Sequence, residues 1–416
     1  MTVWFAPGRI EVLGKHTDYA GGRSLVMAIE AGVTVDVEPA ASGITARSAA
    51  IPDPVSLSPG LELPTGHWGR YLQATVNRLS RNFGALAPCT LSVSSNLPLA
   101  SGMSSSSALV VASALALVRF NGIDTSALWN LEIGSPERLA LYLASIENGA
   151  TFGTLAGDAG VGTFGGSEDH TAMVCGRAGH LSQFRFGPTR RVVDVPLDRD
   201  LIFVVATSGV PAEKTGAAKD RYNQASLAVG EILARWNQAT GRSDPNVGVA
   251  LDSGGEARDR MERLVSADPL LSTRLRHFLT ESETLVPAAT RALAESDLDA
   301  LGVICAESQA VADRWLANQT PETNRLAALA RELGAHAASS FGAGFGGSVW
   351  ALVRRTEAEA FAGDWLGRYR REHPTHESTS LTLASRPAGP TRELVCDMDE
   401  RAAGRGTRGA NDRWST

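Results

Sequence analysis

Cysteine is scarce in this chain of 416 residues, and Cys89, Cys175, Cys305 and Cys396 are scattered without paired spacing. That excludes a disulfide framework and a cysteine-based zinc site, and fits a reducing compartment. A basic excess is also missing. Lys and Arg number 39 against 45 Asp and Glu, a formal net charge of -6, whereas nucleic-acid binders present a basic face. Long apolar runs are lacking: the longest, residues 108–118, is too short to span a bilayer, and no basic segment followed by an apolar stretch opens the chain. Internal repeats are absent. The expectation is a globular cytoplasmic protein, a monomer or weak homo-oligomer, with no nucleic-acid partner and no membrane contact. Hydrophobic residues make up 43% of the chain, ample for buried cores in two or three domains.

What is present centres on residues 98–108, Pro-Leu-Ala-Ser-Gly-Met-Ser-Ser-Ser-Ser-Ala. The run from Cys89 before them alternates as a strand does, and Ala108 onward is helix material without Gly or Pro. Small residues at such a junction allow close backbone approach, and the first turn of the helix offers unpaired N–H groups and a positive dipole end to an anion. Ser104 to Ser107 add hydroxyls able to cap the helix, bind phosphate oxygens or ligate hydrated magnesium. The stretch predicts a phosphate cradle.

Near the N-terminus an apolar run turns through Pro7 and Gly8 toward polar Lys15-His-Thr-Asp-Tyr. Gly8 to Lys15 imitates a Walker A loop, but five residues separate its glycines and His16 stands where a metal-binding hydroxyl belongs. Asp18 and His16 can make paired hydrogen bonds to vicinal hydroxyls, and Arg9 can stabilise charge near a transferred phosphoryl group. Residues 68–83 read as a helix. Another is signalled over 135–149, with Ser135 as N-cap, Pro136 at the first position and Asn148-Gly149 as the stop, leaving Glu147 near its end. A Gly-rich stretch from Thr151 then leads to Gly165-Gly-Ser-Glu-Asp-His-Thr. Leu201-Ile-Phe-Val-Val-Ala reads as a buried strand, residues 224–333 as helical, and Gly342-Ala-Gly-Phe-Gly-Gly as a turn feeding a strand. Residues 379–387 make a last strand, and the tail from about 398 has a disordered composition.

Three of these segments, Ala6-Pro-Gly-Arg-Ile-Glu-Val-Leu-Gly-Lys-His-Thr-Asp-Tyr, the 98–108 loop and Gly342 to Gly347, resemble in order and spacing the three signature motifs of the GHMP small-molecule kinases, the first being similar to the galactokinase signature. The resemblance implies an α+β fold of two domains, an N-terminal ribosomal-protein-S5-like domain (1–195) and a C-terminal ferredoxin-like α/β sandwich (196–390), with the site in the cleft between them. It implies phosphoryl transfer from ATP to the anomeric hydroxyl of a hexose, galactose first. Asp169 and Arg9 fall at the catalytic positions; Lys15, His16, Asp18, Tyr19 and Tyr222 at sugar-binding positions; and Ser101, Gly102, Met103, Ser104, Ser105, Ser106, Ser107, Gly344 and Gly346 along the ATP. Ser105 and Glu147 would hold Mg2+. Glu168 is a rival to Asp169 one residue away, and Asp158 a rival for the metal. The chain departs from the galactokinase pattern at Glu11 for asparagine, Lys15 for glutamate and His170 for glutamine. Lys15 reverses the charge expected near C6 of the sugar, which opens galacturonate or another sugar as alternative substrate. A non-catalytic sugar or ATP sensor is the further alternative.

Overall fold

The computed structural model describes residues 2–98, 101–212 and 216–394. Leu99 and Ala100 of the serine loop, and the tail expected from about 398, lie outside the described residues. The expected α+β architecture is observed as two sheets with helices between and around them.

The larger sheet holds β1 (Thr2–Leu13), β2 (Arg23–Pro39), β3 (Ile44–Ser48), β4 (Ile51–Leu57), β5 (Cys89–Ser95), β6 (His180–Arg185) and β7 (Arg190–Pro196). β2 pairs antiparallel with β1 along most of its length. Its other edge is divided between β5, opposite residues 33–39, and β6, opposite residues 23–26. Gly32 lets β2 run on as a single strand of 17 residues. It faces Pro7 across the sheet, and a Cβ at Gly32 would sit 2.3 Å from the Ala6 carbonyl oxygen. A bulge between Pro7 and Arg9 shifts the register at the point where the chain must present Arg9.

Five helices support this sheet: α1 (Arg70–Phe83), α2 (Ser105–Phe120), α3 (Ala127–Glu132), α4 (Pro136–Asn148) and α5 (Glu168–Cys175). α2 is apolar on nearly every side because it lies against β1 and β2 on one face and against α1, α4 and α5 on the others. Its burial fixes where its N-terminus points.

The smaller sheet has β8 (Leu201–Thr207), β9 (Ala337–Ser340), β10 (Ser348–Arg354) and β11 (Thr382–Ser385) in the order β11-β8-β10-β9, all antiparallel. β11 is the strand expected within 379–387, and a two-residue β12 (Arg392–Glu393) returns to pair with β1. Between β8 and β9 runs a helical array starting with α6 (Gly216–Thr240). One hydrophobic core continues from the larger sheet to Phe203 and Trp350 of the smaller, and another, around Leu326, Trp365 and Tyr369, covers the smaller sheet's opposite face. No helix among the described residues is long and apolar enough to cross a membrane.

Candidate active site

Arg9 leaves β1 just beyond the bulge and is almost wholly buried. Its backbone N–H donates to the Met103 carbonyl at 3.3 Å and its Nη1 to the Gly102 carbonyl at 2.5 Å, which binds the first motif to the second. Gly8 backs onto the same loop: a Cβ there would lie 2.7 Å from Leu97 and 3.0 Å from the Met103 oxygen. The free side of the guanidinium meets Asp169, with Nε and Nη2 at 2.8 and 2.7 Å from Oδ1. Burial opposes the Arg9 charge, but the carboxylates of Asp169, Glu168 and Glu11 outweigh it and hold its pKa above the ordinary value.

Asp169 stands in the first turn of α5, where the helix dipole favours an anion. Its Oδ2 accepts from Ser104 Oγ at 2.7 Å and Ser107 Oγ at 3.4 Å. Ser104 has φ 57, the left-handed region, and its hydroxyl serves Asp169 rather than capping α2. Catalytic-position aspartate, arginine and serine loop are thus one hydrogen-bonded unit.

The cavity around this unit is lined by Glu11, His16, Asp18, Tyr222, Glu147, Asn148, Thr163, Glu168 and His170, together with Gly342 and Ala343. Asp18 accepts the Glu168 N–H at 3.1 Å. Gly166 is required beside it, since a Cβ would fall 2.3 Å from the Asp18 carboxylate. His16, at φ 57, meets the Ala343 carbonyl through Nε2 at 3.1 Å and the Tyr19 hydroxyl through Nδ1 at 2.9 Å. The Tyr222 ring lies 5.0 Å from His16, and burial raises its hydroxyl well above the usual tyrosine pKa.

Six of the expected positions do not line the cavity. Lys15 does not reach the cavity. Its Nζ donates to Ser308 and Ser339 at 2.8 and 3.0 Å and lies 3.9 Å from Glu281, a fully buried carboxylate that also accepts the backbone N–H of Gly14. Tyr19 stands behind the cavity wall, where its hydroxyl accepts from Arg274 at 3.0 Å and burial pushes its pKa up to about 12. Gly344 and Gly346, at φ 79 and 134, fold the third motif onto Asn318 and Val210, leaving Gly342 and Ala343 as the cavity wall. The buried Met103 side chain belongs to the hydrophobic core and Ser101 Oγ donates to the Pro98 carbonyl, so this part of the loop has only its backbone to offer a phosphate.

A second, apolar cavity of about 560 Å³ adjoins the first. His67, Trp68, Tyr71, Leu97 and Leu109 line it, together with Ser105 and Ser106, and Thr163 faces both cavities. The first turn of α2 therefore looks two ways, Ser107 toward Asp169 and Ser105 and Ser106 toward the apolar chamber. That chamber was illegible in the sequence, where Trp68 and Tyr71 look like any aromatic residues around a helix start. Glu147, delivered by the last turn of α4, lies 3.1 Å from His170 Nε2. Asp158, the rival carboxylate, lies instead on a separate groove beside α1.

An arginine on β1 paired with an aspartate at the α5 N-terminus, in a polar cavity that adjoins an apolar one at the start of α2, fits a small-molecule phosphotransferase. Family models agree segment by segment: the galactokinase galactose-binding signature matches residues 2–39, the GHMP kinases N terminal domain 70–166 and the GHMP kinases C terminal model 289–370. The chain belongs to the GHMP kinase family, in its galactokinase group. A galactokinase of Mycobacterium tuberculosis is 30% identical over 371 residues, 87% of this chain and 92% of that one. One from a Roseiflexus species is 28% identical over 383 residues, 91% and 88% of the two chains. In structure the chain resembles Lactococcus lactis galactokinase complexed with galactose, with a TM-score of 0.77 at 22% identity, covering 94% and 95% of the two chains. It also shares its fold with a Streptococcus pneumoniae phosphomevalonate kinase, with a TM-score of 0.60 at 14% identity over 95% of this chain and 100% of that one.

Proposed function

We propose that the chain transfers the γ-phosphoryl group of ATP to the anomeric hydroxyl of galactose, giving galactose 1-phosphate. The observation that carries this is the meeting of the two cavities at the first turn of α2, beside Asp169. Galactose occupies the polar cavity against Asp18, His16 and Tyr222. The base of ATP fills the apolar chamber against Trp68, Tyr71 and Leu109, and its phosphates follow the α2 N-terminus to Ser105 and Ser106.

Asp169 takes or polarises the proton of the anomeric hydroxyl. Arg9 keeps Asp169 ionised and offsets charge on the transferred group, and in a loose transition state either action of Asp169 suffices. For the metal, Glu147 lines the polar cavity and Ser105 the adjoining apolar one. No three His, Cys, Asp or Glu side chains among the described residues form a metal-binding group, whereas a hydrated Mg2+ needs only one or two carboxylates beside substrate phosphates. Glu147 and Ser105 would hold it, and bound there it would neutralise charge between the phosphates. Lys15, engaged with Glu281, Ser308 and Ser339, leaves no basis for a uronic acid.

The deciding experiment is ADP release from purified protein with ATP, Mg2+ and a panel of hexoses and uronic acids, with Asp169→Asn as control. Turnover of galactose that the substitution abolishes supports the reading; no turnover of galactose despite ATP binding refutes it.

A further inference from the structure

Two buried carboxyls of the polar cavity have no part in the scheme above. Glu11 on β1 and Glu168 in the first turn of α5 line the same cavity and act on each other's charge. Each is nine-tenths or more buried, and Glu11 Oε1 has no hydrogen-bond partner among the described residues. Ser24 donates to Glu168 Oε2. One guanidinium separates this pair from the reacting carboxylate: Arg9 Nε lies 3.9 Å from Glu168 Oε1 and 2.8 Å from Asp169 Oδ1. Resting on the kinase reading, we propose that Glu11 and Glu168 are positioning residues, a proton-sharing carboxyl pair that keeps Arg9 on Asp169 during phosphoryl transfer.

Two buried carboxyls that act on each other cannot both ionise at little cost. Were both charged, they would compete with Asp169 for Arg9 from the other side of the same guanidinium. With both protons kept, that competition is absent. The cations facing Glu11 are Lys15 and Arg9, with Glu281 beyond Lys15, and the charges facing Glu168 are Asp18, Arg9 and Asp169. His16, His170, Glu147 and Tyr222 line the same cavity. Burial, opposed by Lys15 and Arg9, pushes the Glu11 carboxyl up to about 7. Burial and the neighbouring carboxylates hold Glu168 well above the usual carboxylate range. The pair thus releases one proton near neutrality and keeps the other. The charge that appears then lies beside Arg9 and loosens its hold on Asp169, so the transfer step slows as pH rises through 7.

The test is the pH profile of galactose phosphorylation by the wild type, Glu11→Gln and Glu168→Gln, with thermal melting and ADP binding as checks that each variant folds. Wild-type kcat/KM is expected to fall about tenfold on an alkaline limb centred near 7. Glu11→Gln should lose that limb, and Glu168→Gln should shift it to higher pH, because burial raises the Glu11 carboxyl and the Glu168 side chain lowers it. Each should lower kcat while shifting the KM for ATP by less than about threefold, the split expected of a positioning residue. Carbon-13 NMR of glutamate-labelled wild type, recorded without substrates, should show a Glu carboxyl titrating near 7 that the Glu11→Gln variant lacks. A flat wild-type profile, or an unshifted limb in either variant, overturns the proposal. Turnover of galactose with every Glu carboxyl titrating in the ordinary range overturns the pair alone. No turnover by folded, ADP-binding wild type overturns the kinase reading, and the positioning role falls with it.

Discussion

Asp169 is the residue on which the chemistry turns, because Arg9, Ser104 and Ser107 all fix its oxygens. Asparagine keeps the shape and removes the charge. Asp169→Asn should lower kcat by roughly 10³-fold, the order of a lost general base, with ADP binding retained by calorimetry. Retention of more than a tenth of the activity would point to Glu168 instead. Lys15 calls for a different measurement, since its role is holding Glu281 in a dry setting. Lys15→Ala should cost roughly 3–5 kcal/mol by leaving that carboxylate unpaired, read as a lower midpoint in denaturant. Lys15→Met with Glu281→Leu should recover much of the loss. A Lys15→Ala variant of unchanged stability but raised KM for the sugar would return Lys15 to the substrate.

At the scale of elements, each segment places one chemical group. α2 is held by apolar contacts on all sides, so its N-terminus cannot swing away from the junction of the two cavities. α4 starts with Ser135 accepting the Arg138 N–H at 3.3 Å and stops at Gly149, φ 77. Those signals are local, and the sequence displays them. The segment from α1's start to β5 supplies the aromatic wall of the apolar cavity, which depends on distant contacts with the loop around Val161 and Thr163. Trp68→Ala should raise the KM for ATP about tenfold, from roughly 1–2 kcal/mol of lost base stacking, while the KM for galactose moves much less. Equal effects on both substrates would place the base elsewhere.

For the whole molecule, Glu11 links protonation to stability. Its folded pKa, about 7, lies above the unfolded value of 4.5, so the folded state binds the extra proton between them. The contribution is full below 4.5 and is lost as pH rises through 7. Denaturation midpoints should therefore decline from about pH 5 to 8 more steeply in wild type than in Glu11→Gln; parallel curves would show that Glu11 is ordinarily ionised. Chelation acts at the same scale. EDTA should abolish ADP release and Mg2+ restore it, with Glu147→Gln needing roughly tenfold more Mg2+.

The three motifs were legible because each is set by short-range requirements: small residues where backbones touch a ligand, hydroxyls at a helix start, and glycines where a Cβ would collide. The strands and helices that carry the motifs followed from apolar periodicity, and the α+β class from the resemblance to the GHMP kinases. Sequence, through that resemblance, therefore determined the reaction class and the catalytic positions of Arg9 and Asp169. It did not determine where side chains inside a motif point. Lys15 turns inward because Glu281, 266 residues further along the chain, is folded against it. Tyr19 is drawn back by Arg274, and Glu11 comes to face Glu168 only because β1 and α5 pack together. Those outcomes belonged to the tertiary structure, since the energy of a buried charge depends on which partners the fold brings within a few ångströms of it, and neighbours in sequence say nothing of them.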